Sequence, residues 1–286
     1  MSAVPATVGV IGGGRMGAGI AQVFAQAGAS VIIIERDQVA MSAARARLDD
    51  GLTKAAARNP SVDAATLLSG IRVGTDYEAL ATADLVIEAV PEVFALKVEA
   101  LSTAERVVGE SAWLATNTSS LSVTGLSDLL RRPERFCGLH FFNPVPPSAL
   151  VEIVVTTRTS PELRGQAETW VHALAKTPIV VRDAPGFASS RLGAAIALEA
   201  MRMLEEGVAS AEDIDAAMVL GYRHATGPLR TSDLVGLDVR LGIAEYLHET
   251  LGDRFAPPRI LRDKVAAGEL GRKTGRGFFV YPEASS

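Results

Sequence analysis

The sequence predicts an α/β fold with a doubly wound sheet, followed by an all-α domain. A glycine-rich turn joins a strand to a helix near the N-terminus, and short apolar strands then alternate with helices as far as residue 183. The alternation stops at the turn residues Asp183-Ala184-Pro185-Gly186, which separate residues 1–183 from residues 187–286. A chain of 286 residues is long enough for two domains, since domains usually contain roughly 100 to 200 residues.

The glycine-rich turn has the spacing of a nucleotide-binding loop. Gly12, Gly14 and Gly17 stand in G-x-G-x-x-G register after the first strand. Gly12 permits the tight turn, Gly14 lets the backbone approach a pyrophosphate, and Gly17 lets the helix pack closely on the strand. The helix begins at about Arg15 and Met16, and its first N–H groups would face the phosphates. These five residues are therefore predicted to bind a dinucleotide.

An acidic residue ends the second strand. This strand spans residues 30–34, and Glu35 follows 23 residues after Gly12, where a carboxylate can accept a hydrogen bond from a ribose 2′-hydroxyl. The same carboxylate repels a 2′-phosphate, so the sequence favours NAD over NADP, although Arg36 follows directly. The succession of strand, glycines, helix, strand and acid predicts a Rossmann-like NAD-binding domain rather than a βαβ unit that binds no nucleotide.

The remaining elements follow in order along the chain. After Glu35 we predict helices over residues 38–59, 92–108 and 161–174, and strands over residues 71–73, 85–88, 113–116, 136–140, 150–155 and 178–181. In the second domain we predict helices over residues 187–206, 210–220 and 237–251. Ser210 and Asp213 resemble a capping box at the start of the second of these.

Polar or stiff segments follow two of the predicted strands. Asn117-Thr118-Ser119-Ser120 follows the strand at 113–116, and three prolines stiffen the loop at 141–147 after the strand at 136–140. In an open α/β sheet a ligand binds beyond the carboxyl ends of the strands, so both segments are candidate contacts. Asn and Ser are also common helix N-caps, and that alternative stays open for residues 117–120.

Charge and composition exclude several function classes. The net charge of −5 and a pI of about 5.5 provide no basic field for nucleic acid or an anionic membrane, and no apolar run approaches the roughly 18 residues of a membrane span. The single cysteine, Cys137, cannot form an intramolecular disulfide or a cysteine metal cage. We expect a cytoplasmic protein that binds no metal. Four basic residues on the helix at 38–59 are typical of a solvated face, or alternatively contact a phosphorylated substrate: Arg45, Arg47, Lys54 and Arg58.

His140 and Glu152 form the candidate catalytic pair. His140 ends a strand, and Glu152 lies on the returning strand, which can bring the carboxylate beside the imidazole. That contact would fix the tautomer of His140, and a histidine held in this way can take a hydroxyl proton as hydride leaves the carbon. Beside NAD, the pair predicts a dehydrogenase, whereas a structural histidine is the alternative.

Several longer segments occur in one order along essentially the whole chain. They are GVIGGGRMGAGIA, EAVPE with Lys97, NTSSLSV, GLHFFNPVP, the acidic Glu152, PGF, GPL, DLVGLD and GRKTGRGF. In this order they resemble the L-3-hydroxyacyl-CoA dehydrogenase family, and GLHFFNP and NTSSL are more specific signatures than the glycine turn. Within that family, a chain of this length is most similar to the bacterial 3-hydroxybutyryl-CoA dehydrogenase type.

The resemblance implies a role for each matching residue. His140 would be the general base, and Glu152 would orient it and stabilise its charged form. Ser119 would hydrogen-bond the 3-oxygen of the substrate and, with Asn143, lie near the nicotinamide. The other family positions that contact the cofactor are matched by Glu92, Lys97 and Lys273.

Two positions in the second domain depart from the family pattern. Where the family has Asn in G-F-x-x-N-R to help polarise the substrate carbonyl, this chain has Ser190, which also donates a hydrogen bond but reaches less far. Ala225-Thr226 stands where the family often has Pro-Met. These departures leave open the acyl group and whether the substrate is a CoA ester.

The function implied by the resemblance is NAD-dependent interconversion of a short-chain (S)-3-hydroxyacyl-CoA and its 3-oxoacyl-CoA. Two alternatives stay open: a dehydrogenase of a free 3-hydroxy acid of the sugar-acid or carnitine type, and a non-catalytic NAD-binding structural protein. Broad apolar helix faces in the second domain, together with the resemblance, predict a homodimer.

Overall fold

The computed structural model describes residues 4–282, which form one eight-stranded sheet and a set of helices. The strands are β1 Thr7–Ile11, β2 Ser30–Ile34, β3 Ile71–Gly74, β4 Leu85–Glu88, β5 Trp113–Thr116, β6 Phe136–Phe141, β7 Leu150–Val155 and β8 Thr177–Arg182. The α-helices are α1 Arg15–Gln26, α2 Gln38–Arg58, α3 Ala64–Ser69, α4 Phe94–Val107, α5 Val123–Ser127, α6 Pro161–Ala173, α7 Ser189–Glu205, α8 Ala211–Ala216, α9 Pro228–Val235, α10 Leu237–Leu251 and α11 Arg259–Ala266.

The chain divides into two compact units, one ending at Asp183 and the other starting at Ala184. The outer limits of the predicted domains, residues 1 and 286, lie outside the described residues. Among residues 4–282 no helix is both long and apolar enough to cross a membrane.

The sheet belongs to the first unit and has the order β3-β2-β1-β4-β5-β6-β7-β8. Strands β1 to β6 are parallel, β7 is antiparallel to β6, and β8 is parallel to β7. The chain leaves β1 towards β2 and later returns on its other side at β4, so the strand order reverses there. The predicted doubly wound fold is confirmed, and the glycine-rich turn follows β1 at the point of reversal.

The central strands form because their residues are apolar on both faces. Val31 to Ile34 of β2 are at most 2% exposed, as expected for a parallel strand covered on both sides. Helix α1 contributes Ile20, Ala21 and Phe24 to the same core, at spacings that keep them on one helix face.

The second unit is helical and has its own core. Helix α7 buries Ala194, Ala197, Leu198, Ala200 and Met201, which recur with the period of one helix face. They pack with Leu229 of α9 and with Leu237, Ala244 and Leu247 of α10. The predicted all-α character is confirmed.

Several predicted helix limits were wrong. The helix expected from residue 187 begins at Ser189, because Gly186 (φ +73°) and Phe187 (φ +49°) have left-handed backbone conformations. The helix expected over 210–220 is α-helical only to Ala216 and continues as a π-helical turn, Ala217–Gly221. Helix α4 begins at Phe94, two residues after the predicted start.

Four short helices, α3, α5, α9 and α11, were not predicted. Each has at most eight residues, too few for a helical period to stand out from the sequence.

Candidate functional site

Two glycines of the turn are required by the backbone. Gly12 has φ +91°, and a Cβ there would lie 2.9 Å from the carbonyl oxygen of Ala89. A Cβ at Gly17 would collide with the carbonyl oxygen of Gly12, so α1 can approach β1 only with glycine at this position. The turn therefore holds the start of α1 against the end of β1.

Gly14 is explained by neither packing nor backbone conformation. Its φ is −61°, and a Cβ there would meet no atom within 4 Å. Gly14 is also the N-cap of α1 and offers no side-chain hydrogen bond to the first N–H groups of the helix, which have no intrahelical acceptor. The missing side chain leaves open space at a positively polarised helix start, which fits the pyrophosphate of NAD.

The two residues after Gly14 differ in exposure. Arg15 is exposed, whereas Met16 is half-buried and packs on the core. Both stay predicted cofactor contacts, Arg15 through an accessible cation and Met16 through its backbone N–H.

Glu35 is held against the glycine turn. Its Oε1 accepts a hydrogen bond from the backbone N–H of Gly13 at 2.6 Å, and its Oε2 accepts one from Arg36 N at 3.2 Å. The Arg36 guanidinium contacts Asp37 at 3.0 Å and its side chain is 82% exposed. The carboxylate is therefore held beside the glycine turn, the neighbouring cation is paired with Asp37, and the contact of Glu35 with a ribose hydroxyl stays a prediction.

The predicted contact between His140 and Glu152 is present. The two residues face each other in the antiparallel register of β6 and β7, and His140 Nδ1 lies 2.7 Å from Glu152 Oε2. His140 is 4% exposed and Glu152 is fully buried. Because a carboxylate only accepts, Nδ1 carries the proton in the neutral imidazole, and Nε2 carries the lone pair. The centroids of the Phe142 and imidazole rings lie 4.6 Å apart, so the two rings pack against each other.

The loop that carries Ser119 is anchored by Glu92. One carboxylate oxygen, Oε1, accepts hydrogen bonds from Thr118 Oγ1 (2.5 Å), Ser119 N (2.9 Å) and both the backbone N and the hydroxyl of Ser120 (3.0 Å each). Burial acts to raise the pKa of Glu92, but the charge of Lys97 and these hydrogen bonds together lower it below its ordinary value. Among the described residues no group hydrogen-bonds the Ser119 hydroxyl, so that hydroxyl is available to a ligand.

Lys97 lies behind this loop in a buried ion-pair network. Its side chain is 1% exposed, and Nζ contacts Glu88 Oε1 at 2.8 Å and Glu92 Oε2 at 3.2 Å. The second oxygen of Glu88 accepts a hydrogen bond from Thr116 Oγ1 at 2.6 Å. Sequence reasoning missed Glu88, whose only signal is a carboxylate at the end of an otherwise apolar strand.

The loop after β6 carries Asn143, which is exposed. The loop is tied down by Lys176, whose Nζ donates to the carbonyl oxygens of Val145 (2.8 Å), Ser148 (2.5 Å) and Pro146 (3.3 Å). Burial lowers the pKa of Lys176. Lys176 had no signal in the sequence, because its partners are backbone atoms about thirty residues earlier.

The family of the chain follows from two profile matches. Residues 7–184 match the model described as 3-hydroxyacyl-CoA dehydrogenase, NAD binding domain, and residues 186–281 match the C-terminal domain of the same dehydrogenase. The chain belongs to the 3-hydroxyacyl-CoA dehydrogenase family. It is therefore an NAD-dependent oxidoreductase, as the sequence predicted.

Individual relatives align with nearly the whole of this chain. A probable 3-hydroxybutyryl-CoA dehydrogenase of Deinococcus radiodurans is 40% identical over 96% of this chain and 99% of its own length. The mitochondrial hydroxyacyl-coenzyme A dehydrogenase of Sus scrofa is 38% identical over 96% of this chain and 90% of its own length. The crystal structure of (S)-3-hydroxybutyryl-CoA dehydrogenase from Ralstonia eutropha is 40% identical, covers 98% of this chain and 100% of its own, and superposes with a TM-score of 0.92.

The remaining predicted site residues of this dehydrogenase lie in the second unit. Ser190 is half-buried in the first turn of α7. Lys273 donates to both carboxylate oxygens of Asp238, at 2.6 and 2.7 Å, and its side chain is 45% exposed. Within residues 4–282 no group of three acidic, histidine or cysteine side chains could hold a metal ion.

Three of the four basic residues of α2 have separate partners. Arg45 and Arg47 reach the backbone carbonyls of Val73 (3.4 Å) and Gly13 (3.3 Å), and Lys54 pairs with Asp50 at 2.7 Å. The phosphate-contact alternative for α2 stays a prediction.

Proposed function

We propose that this dehydrogenase interconverts a short-chain (S)-3-hydroxyacyl-CoA, of the 3-hydroxybutyryl-CoA type, and the corresponding 3-oxoacyl-CoA. The observation that carries the proposal is the 2.7 Å contact between His140 Nδ1 and the fully buried Glu152 carboxylate. This pair lies at the carboxyl end of β6, on the same edge of the sheet as the glycine turn after β1.

The pair can perform the proton step of alcohol oxidation. With Nδ1–H donating to Glu152, the lone pair on Nε2 accepts the proton of the 3-hydroxyl group. When bound, NAD would supply the acceptor for the hydride that leaves carbon 3. The imidazolium that forms is stabilised by the adjacent negative carboxylate, and in the reverse direction it returns the proton to the 3-oxygen.

Ser119 and Asn143 are proposed to position the reacting groups. The hydroxyl of Ser119 would donate to the 3-oxygen, which carries developing charge during the reaction. Its backbone is fixed through Glu92, and Glu92 in turn contacts the buried Lys97. We therefore propose that Glu92 and Lys97 serve the cofactor site partly by holding the loop at 118–120.

Ser190 is proposed to donate a hydrogen bond to the thioester carbonyl, and Lys273 to serve the cofactor. The Ser190 hydroxyl reaches less far than the Asn side chain it replaces, so a bridging water is compatible with the role. Lys273 would act while paired with Asp238, which keeps its ammonium group in one place.

We also propose a cytoplasmic homodimer formed through the second unit. Leu220 and Tyr222 are 81% and 76% exposed, and Leu192 is 64% exposed. We propose that these side chains belong to the interface, with a second copy as the partner that symmetry favours. The cytoplasmic location rests on Cys137, a buried free thiol. Light scattering on the wild type and on Leu220→Glu tests the dimer, which the variant should convert to monomer.

The experiment that tests the proposed reaction uses NAD and each enantiomer of 3-hydroxybutyryl-CoA. We expect NADH to form with the (S) enantiomer at least 100-fold faster than with the (R) enantiomer, because only one face of carbon 3 can present both hydroxyl and hydride correctly. Absence of NADH formation with either enantiomer would contradict the proposal.

A further inference from the structure

Arg240 is an enclosed cation in the second unit. It lies on α10 and is 5% exposed, and its Nε is buried without a hydrogen-bond partner. Over residues 4–282 no carboxylate, carbonyl group or aromatic ring pairs with its guanidinium. Burial lowers the pKa of Arg240 to about 10, and no neighbouring anion opposes this effect. A buried charge in this condition is unfavourable unless a ligand compensates it.

Two acidic residues that precede Arg240 in the sequence, Asp233 and Asp238, have other partners. Asp238 pairs with Lys273 at 2.6 Å. Asp233 accepts hydrogen bonds from the backbone N–H groups of Phe278 and Phe279, at 2.9 Å each. Neither carboxylate forms an ion pair with Arg240.

The guanidinium lies close to Gly193 of helix α7. A Cβ built on Gly193 would lie 3.9 Å from Arg240 Nη1, so a longer side chain at this position would compete with the guanidinium for space. Glycine in a helix interior is unfavourable, and no left-handed conformation requires it at Gly193. The Cβ of an alanine at this position would lie at an ordinary van der Waals distance from Nη1, so the guanidinium packs directly against this part of α7.

Ser190 is close to the same position. It precedes Gly193 by three residues, so the two share one face of α7 and are about 4.5 Å apart along the helix axis. The cation thus lies about one helical turn from the residue proposed to contact the substrate carbonyl.

We propose that Arg240 binds a carboxylate of the substrate, in addition to the thioester group. The guanidinium matches a carboxylate in shape and charge and can bind it with two parallel hydrogen bonds. A carboxylate is smaller than the phosphates of CoA and therefore suits a cation that is 5% exposed better than they do. The proposal rests on the proposed function and specifies its substrate as the CoA monoester of a 3-hydroxy dicarboxylic acid.

The same carboxylate chemistry is present in a free 3-hydroxy acid. In that case Arg240 would bind the carboxylate that the CoA ester lacks. The carboxylate could therefore belong to a CoA monoester or to a free hydroxy acid. Only the first requires the thioester for turnover, and the experiment separates the two.

The test compares two CoA esters of equal chain length, 3-oxoadipyl-CoA and 3-oxohexanoyl-CoA, which differ in a terminal carboxylate. kcat/KM with NADH is measured for the wild type, Arg240→Met and Arg240→Lys, with free 3-oxoadipate as a third substrate. Arg259→Met is the matched control, because Arg259 lies in the same unit with its side chain 88% exposed.

We expect the wild type to prefer 3-oxoadipyl-CoA at least ten-fold. Arg240→Met should lower the ratio of the two kcat/KM values about 30-fold, the scale of a lost hydrogen bond to a charged group, and Arg240→Lys should retain part of the ratio. Arg259→Met should leave the ratio unchanged. A purely structural Arg240 would lower both values alike.

An unchanged ratio in a folded Arg240→Met would overturn the inference while the proposed function stands. Should Arg240→Met not fold, the lysine variant and the thermal shift of the wild type with glutarate decide the question. No shift and no preference for 3-oxoadipyl-CoA would overturn the inference. Turnover of free 3-oxoadipate alone, dependent on Arg240, would contradict the proposed function and support carboxylate binding. Absence of turnover with every substrate would contradict the proposed function.

Discussion

Substitution of Glu152 by Gln tests the catalytic pair with little change in size. The glutamine can still accept a hydrogen bond from His140 Nδ1, whose partner in the wild type is a carboxylate oxygen at 2.7 Å. A hydrogen bond to a charged group contributes about 1.5–3 kcal/mol, and one between neutral groups about 0.5–1.5 kcal/mol. The difference, about 1.5 kcal/mol, applies most strongly when the imidazole is protonated. We therefore expect kcat to fall roughly ten-fold.

Glu152→Ala should lower kcat further, by roughly 100-fold, because the buried Nδ1–H then loses its acceptor and the tautomer of His140 is no longer fixed. The assay is steady-state oxidation of (S)-3-hydroxybutyryl-CoA at saturating NAD, with NADH affinity measured separately by fluorescence. Glu162→Gln, an exposed carboxylate at the start of α6, is the control. Wild-type kcat in Glu152→Gln, or a loss of NADH affinity as large as the loss of kcat, would refute the reasoning.

Three further predictions concern the cofactor site and its supports. Gly14→Ala should weaken NAD binding at least ten-fold while changing the free energy of unfolding by less than about 1 kcal/mol, whereas Gly17→Ala should destabilise the fold by about 3 kcal/mol or more. Calorimetry measures NAD binding and urea unfolding measures stability. Equal effects of the two substitutions would contradict the separate roles of the two glycines. Glu35→Gln keeps the acceptor for Gly13 N but removes the charge, so the ratio of kcat/KM for NAD over NADP should fall about ten-fold. Because the pKa of Glu92 is lowered, its ionised form stabilises the fold above its ordinary pKa of 4.5, and this contribution is lost as the pH falls through the lowered value. Urea unfolding at several acidic pH values should show this loss of stability in the wild type and not in Glu92→Gln. Parallel pH profiles of the two proteins would contradict the prediction.

Most of the sheet could be predicted because its signals are local. The strands β2, β4, β5 and β7 have the limits that apolar runs and turn residues indicated. The pairing of His140 with Glu152 also follows from local order, since two consecutive antiparallel strands place residues opposite each other.

The features of the fold and the site that could not be predicted depend on contacts between residues distant in the sequence. The start of α7 at Ser189 depends on the left-handed backbone of Phe187, a conformation that a phenylalanine gives no reason to expect. A lysine is usually exposed, and the burial of Lys97 follows only from its ion pair with the buried Glu88. Arg240 likewise has no local signal, because its burial is set by the packing of α10 rather than by its neighbours in sequence.

The central claim is that His140 moves a proton to and from the 3-oxygen of a CoA ester. The most direct measurement is the rate of NADH-dependent reduction of 3-oxobutyryl-CoA and of free 3-oxobutyrate by the wild type and by His140→Ala. The account predicts turnover of the CoA ester, little turnover of the free acid, and a decrease in kcat of roughly 100-fold or more in His140→Ala with NADH affinity nearly unchanged. Equal turnover by wild type and variant would contradict the assignment of the base, and turnover of the free acid alone would contradict the CoA ester as substrate.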